Sequence, residues 1–141
     1  MSVKLVHEVI DLARKKRSKA EKIEVLQQNE SWALKDVLRG TFDDSVEWNL
    51  PKGEPPPYTA SEEHNAPANH LGQNTQFKYF VKGGPGDKMP KFKREKIFLG
   101  LLESVHPKDA ELVVGMINKK LPVDGITKNV VKEAFPNLIK S

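Results

Sequence analysis

The sequence predicts an all-α protein: a compact bundle of about six helices interrupted by a long, irregular, Pro/Gly-rich central insert. Three observations lead there. Apolar residues recur at helical spacing through the first 40 residues and again from residue 93 onward. Several of these stretches open on Ser, Thr or Pro at a helix-starting position. All ten prolines lie at or beyond Pro51, seven of them between Pro51 and Pro90 with five of the nine glycines. The ends are thus free to be helical, whereas the middle sustains neither a long helix nor an unbroken central strand. The chain of 141 residues suits a single domain, with a first helical half (1–48), an insert (49–92) and a second helical half (93–141).

The elements follow in order. From Val3 to about Lys16, Val3, Val6, Ile10 and Ala13 form one face, with Leu5, Val9 and Leu12 widening it. Ser18 and Glu21 have the spacing of a capping box. The helix they open carries Ala20, Ile23, Leu26 and Gln27 inward or at the edge and ends near Asn29. Ser31 caps a third helix through Trp32, Leu34, Val37 and Leu38, with Gly40 as its expected stop. Residues 41–48 suggest a short extended piece around Phe42, Val46 and Trp48. Residues 49–74 have almost no aliphatic content and read as a long loop. Phe77–Val81 is a strand or an aromatic anchor, followed by a turn-rich segment to Pro90. From Lys93, Ile97, Phe98, Leu101, Leu102 and Val105 form a strong stripe that ends before His106. Pro107 opens the next helix, with Asp109 and Glu111 in the first turn, where the dipole favours acids. After the basic connector 118–125, Thr127 caps a last helix from Lys128 to about Ala134. Leu138 and Ile139 are expected to fold back onto the core.

Charge is unevenly divided. Residues 1–40 carry nine Lys/Arg against six acids (+3), residues 41–75 one Lys against six acids (−5), and residues 76–141 thirteen against seven (+6), consistent with the net +4. A polyanion is drawn to the two ends and repelled from the middle. Two basic features stand out. In the connector, Lys119 and Lys120 sit beside a Pro/Gly turn and a Thr-capped helix, a corner suited to gripping phosphates without reading bases. At the first helix junction, Arg14, Lys15, Lys16, Arg17 and Lys19 form a second cluster. Exposed lysines that only solvate a surface are common, and cations at a helix C-terminus also satisfy the dipole.

Several chemistries have no support. The chain has no cysteine, which removes disulfides, thiolate metal sites and thiol catalysis, and fits a reducing cytosol. His7-Glu8 begins like a zinc-protease motif, but Asp11 stands where the second His is needed. His64 and His70 lie in the proline-bracketed loop without companion ligands, so neither metal nor cofactor is expected. A nucleotidyl-transfer lysine needs Lys-x-Asp-Gly, and here Pro122 precedes Asp124-Gly125 by that interval. The stretch Gly83-Gly84-Pro85-Gly86-Asp87-Lys88 lacks the spacing and ending of a phosphate loop. No apolar run reaches the ~18 residues of a membrane span, and the N-terminus lacks the pattern of a signal peptide.

The tail Met116-Ile117-Asn118-Lys119-Lys120-Leu121, then Gly125-Ile126-Thr127, then Phe135-Pro136-Asn137-Leu138-Ile139, resembles the close of the N-terminal DNA-binding domain of T-even-type phage ATP-dependent DNA ligases. Val6–Ala13, Ser18–Asn29, Trp32–Leu38 with Thr41-Phe42-Asp43, and Trp48-Asn49-Leu50-Pro51-Lys52 follow the same order, while the central insert is poorly matched. The ligase lysine motif is absent and the chain stops at Ser141, where a ligase begins its nucleotidyltransferase domain. The resemblance therefore implies a free-standing, non-enzymatic phage module in the host cytoplasm. Such a module grips double-stranded DNA through its backbone and serves replication or repair. By position, it implies phosphate contacts at Lys119, Lys120, Thr127 and Lys128, assisted by Asn129. The Arg14–Lys19 cluster rests on charge alone. A rival reading is an adaptor for a phage or host protein, with Pro55-Pro56-Pro57-Tyr58 as a polyproline recognition stretch.

Overall fold

A computed structural model describes residues 5–50, 53 and 77–139. Among them are six α-helices and no strand: α1 (Val6–Arg14), α2 (Lys19–Gln28), α3 (Trp32–Phe42), α4 (Lys91–Ser104), α5 (Pro107–Ile117) and α6 (Lys128–Ala134). The helix starts follow local chemistry. The Ser18, Ser31 and Thr127 hydroxyls accept the backbone N–H of Glu21, Leu34 and Val130, filling donors that a helix leaves orphaned. Pro107 occupies the first turn of α5, and the buried His106 ring caps it by accepting the Lys108 N–H at Nδ1.

One apolar core joins all six helices. The centre is α5, which packs on α1, α3 and α4, while α2 bridges α1 and α6. The face of α1 is Val6, Val9, Ile10 and Ala13; Leu12, expected to widen it, is exposed, and Val3 lies outside the described residues. In α2, Val25 and Leu26 are buried, with Ile23 partly covered, whereas Ala20 and Gln27 face solvent. Gln27 nevertheless ties α2 to α6, its amide donating to the Ala134 carbonyl at 3.0 Å. Leu138 and Ile139 pack on the core as expected.

Two expectations fail at the end of α3. Gly40 does not stop the helix, which continues to Phe42, so residues 41 and 42 are helical and not extended. The glycine serves packing instead: a Cβ there would come within 2.5 Å of the Trp48 ring and 2.7 Å of the Met116 sulfur. Trp48 does pair with Val81, but as a single antiparallel bridge. The Phe77–Val81 segment is a short 3₁₀ turn, Phe77–Tyr79, ending in the anchor Phe80. Phe80 is wholly buried and meets Phe98 edge to face. Helix α4 begins two residues before the expected Lys93. Arg94 secures that start by donating to the carbonyls of Asn49, Gly86 and Met89.

The buried Asp109 is used for more than the dipole of α5. Its Oδ1 accepts the His7 backbone N–H at 2.9 Å and lies 2.8 Å from His7 Nδ1, and the His7 ring stacks on His106. This links the starts of α1 and α5.

Two glycines inside helices make opposite demands. Gly40→Ala should destabilise by about 1–3 kcal/mol, since a methyl group has no room between α3 and α5. Gly100, in the exposed middle of α4, has nothing within 4 Å of an added Cβ, so Gly100→Ala should stabilise by about 0.5–1 kcal/mol. Urea unfolding followed by circular dichroism measures both. Equal effects would mean that α3 and α5 do not meet at Gly40.

Candidate nucleic-acid interface

The connector after α5 reverses through a tight C-terminal motif. The Lys120 N–H donates to the Gly115 carbonyl at 2.9 Å and the Lys119 N–H to the Met116 carbonyl at 3.1 Å, the pair of bonds that defines a Schellman cap. Gly115 is required because a Cβ there would sit 2.5 Å from the Lys120 carbonyl oxygen. Lys119 occupies the left-handed position (φ 61°) where glycine is usual.

That conformation carries the Lys119 ammonium back under α3. Its Nζ donates to the carbonyls of Gly40 and Asp43, each at 2.8 Å. These are carbonyls that the end of α3 leaves without intrahelical donors. Lys119, expected as a phosphate contact, is therefore a clasp between α5 and α3. Thr127 spends its hydroxyl capping α6. Lys128 Nζ lies 3.4 Å from Asp44 Oδ2. Lys120 and Asn129 are exposed, and Lys120 has no side-chain partner among the described residues.

At the α1–α2 junction the cations divide in the same way. Arg14 Nε donates to Asp11 Oδ1 at 2.8 Å. That bond holds the Asp11 carboxyl below its ordinary value; partial burial opposes it, and the charges of Arg14, Lys15 and His7 reinforce it. Lys19 pairs with Glu133 at 2.5 Å. Lys15 and Arg17 are exposed and Lys16 half-buried; none of the three has a side-chain partner among the described residues.

The two basic segments meet. Gly125, with φ 103°, lies against Arg14, so that an added Cβ would stand 2.9 Å from Arg14 Cβ and 3.0 Å from the Arg14 carbonyl oxygen. Lys22 Nζ donates to the Gly125 carbonyl at 2.7 Å. Five residues of chain keep Lys120 within about 18 Å of that contact. Lys15, Lys16 and Arg17, next to this contact in the chain, and Lys120, five residues before Gly125, are cations with no side-chain partner among the described residues. The sequence reading missed Lys22 and the docking role of Gly125. A glycine after Asp124 in a turn signalled the second, and nothing local signalled the first.

Residues 9–123 match DUF6433, a family of unknown function. The chain belongs to that family. The matched span covers most of α1, all of α2 to α5, and the connector as far as Val123, including the Lys119 clasp; Gly125 and α6 lie beyond it. No curated protein and no solved structure matches the chain.

Other sequence candidates resolve differently. His7 is committed to Asp109, and among the described residues no group of three or more metal-ligating side chains converges. Residues 83–89 form a succession of turns, with the Gly83 N–H donating to the Asp87 carboxylate. Pro55, Pro56, Pro57, Tyr58, His64 and His70 lie outside the described residues. No helix among the described residues is long and apolar enough to cross a membrane.

Two measurements check this division of charges. Lys119→Met should cost about 2–3 kcal/mol, through the loss of charge-assisted hydrogen bonds. Lys120→Met should change stability by less than about 0.5 kcal/mol. Asp11, with its folded pKa below the ordinary 3.8, contributes stability that is present above that value and lost as pH falls through the folded pKa. Asp11→Asn should therefore be less stable than wild type at neutral pH. In denaturant melts, the difference should close on acidification below 3.8.

Proposed function

We propose that this protein is a non-catalytic binder of double-stranded DNA that contacts phosphates with little sequence preference, as an accessory to replication or repair. The observation that supports the reading is the seat of Gly125 on Arg14, fastened by Lys22, which brings the two basic segments into contact at the surface. In those segments Lys15, Lys16, Arg17 and Lys120 are cations without carboxylate partners among the described residues. Lys22 fastens the contact, while Arg14, Lys19 and Lys119 are engaged by Asp11, Glu133 and the end of α3. Lysine and arginine side chains placed this way neutralise phosphates and release counterions, and such contacts position a duplex without reading its bases.

Duplex binding followed by fluorescence anisotropy between about 25 and 200 mM salt tests this. Four phosphate contacts predict a slope of log K on log salt of about −3 to −4. Replacing Lys15, Arg17 and Lys120 together by Glu should weaken binding by more than tenfold at low salt (about 1.4 kcal/mol per tenfold) and flatten the slope, while the melting temperature is unchanged. No duplex binding at low salt, or the same affinity in the triple variant, sinks the reading.

A further inference from the structure

We infer that the solvent face of α4 is a separate binding site for single-stranded nucleic acid, with Phe92 as a platform on which an unpaired base stacks. The residues concerned are Lys88, Lys91, Phe92, Lys93, Lys96 and Gly100, none of which belongs to the surface around Gly125. The inference stands independently of the duplex-binding reading.

Three features of this face each work against the stability of the helix that bears them. Phe92 is 74% exposed, although the protein covers its other phenylalanines at least in part. Lys91, Lys93 and Arg94 occupy the first turn of α4, where the macrodipole is positive and disfavours cations; no acid is there, and no basic residue lies in the last turn. Gly100 costs helix stability although nothing within 4 Å requires a glycine. Arg94 is explained by the three carbonyls it holds. The others are not explained by packing among the described residues, and such breaches of local preference gather where a surface serves a ligand.

Geometry brings them together. Phe92, Lys96 and Gly100 follow one another at intervals of four residues, hence along one ridge of α4, with Lys93 beside them. The opposite face is Phe98, Leu101 and Leu102 in the core. Four other lysines are paired with acids: Lys19 with Glu133, Lys35 with Glu30, Lys82 with Glu47, Lys128 with Asp44. Lys88, Lys91, Lys93 and Lys96 have no such partner among the described residues. The result is an exposed aromatic ring in a stretch of chain with four lysines that lack carboxylate partners among the described residues, complementary to a strand that alternates flat bases with phosphates. A membrane surface fits less well. An interfacial helix buries a broad apolar face, and here the apolar side of α4 is spent on the core, leaving a single phenyl ring. In the duplex, bases are stacked on one another and offer Phe92 no free face, which selects the single strand.

The test measures binding of a fluorescein-labelled oligothymidine of about 15 nucleotides, within the usual site size. Phe92→Ala should weaken it by roughly 5- to 100-fold, the range of a lost base–aromatic stack. Phe92→Leu should weaken it equally, because an aliphatic side chain does not stack, and Phe92→Tyr should restore it. Lys91→Glu with Lys93→Glu and Lys96→Glu should abolish binding at low salt, and duplex affinity should stay within about twofold for Phe92→Ala. Unchanged oligothymidine affinity in Phe92→Ala overturns the inference, as does full rescue by Phe92→Leu. So does binding to phosphatidylserine vesicles that requires Phe92 while oligothymidine binding does not. The site around Gly125 is tested by its own triple variant, so either reading can fail alone.

Discussion

The arrangement depends on how closely α3 and α5 approach at Gly40. With no side chain there, the Trp48 ring and Met116 close over the helix. The Gly40 carbonyl, beyond the reach of its own helix's donors, accepts both the Trp48 indole N–H at 3.0 Å and the Lys119 ammonium at 2.8 Å. A bulkier residue would separate the two helices and remove both donors. The left-handed backbone of Lys119 is disfavoured for a lysine, and the hydrogen bonds its ammonium makes across this contact offset that cost. From that clasp the connector sets out toward Arg14.

The cations fall into two populations with different physics. One group is folded into the architecture: Lys119 on α3 carbonyls, Arg94 on three loop carbonyls, Lys22 on Gly125. Each donates to backbone oxygens at a helix end or in a loop. The other group, Lys15, Lys16, Arg17 and Lys120 with the lysines of α4, adds charge to the surface and no side-chain bond among the described residues. Counting basic residues along the sequence merges these populations. Only the destination of each ammonium or guanidinium group separates them, and the potential that a polyanion meets comes mainly from the second.

The starts of α1 and α5 are joined by similar economy. Asp109 carries the negative charge that the first turn of α5 favours, and the same carboxylate receives the His7 backbone and ring. His106 stacks on that ring while its own nitrogen caps α5. The sequence placed Asp109 in the first turn for its dipole, and the partner 102 residues away was not visible from there.

Local preference determined most of the secondary structure: the serine and threonine caps, Pro107 at the head of α5, the apolar stripes, and the concentration of proline and glycine in the middle. These are interactions between residues a few positions apart, so the order of residues contains them. The stripes of α1 and α2 were legible only in part, because Leu12 and Ala20 have the spacing of core residues yet are exposed. Gly40 was misread because a glycine that ends a helix and one that admits a neighbouring ring have the same local signature. Tertiary packing alone decided that Lys119 turns inward while Lys120 turns out, and that residue 125 comes to rest on residue 14. Those outcomes depend on contacts between segments far apart in the chain, whose energies no local pattern records.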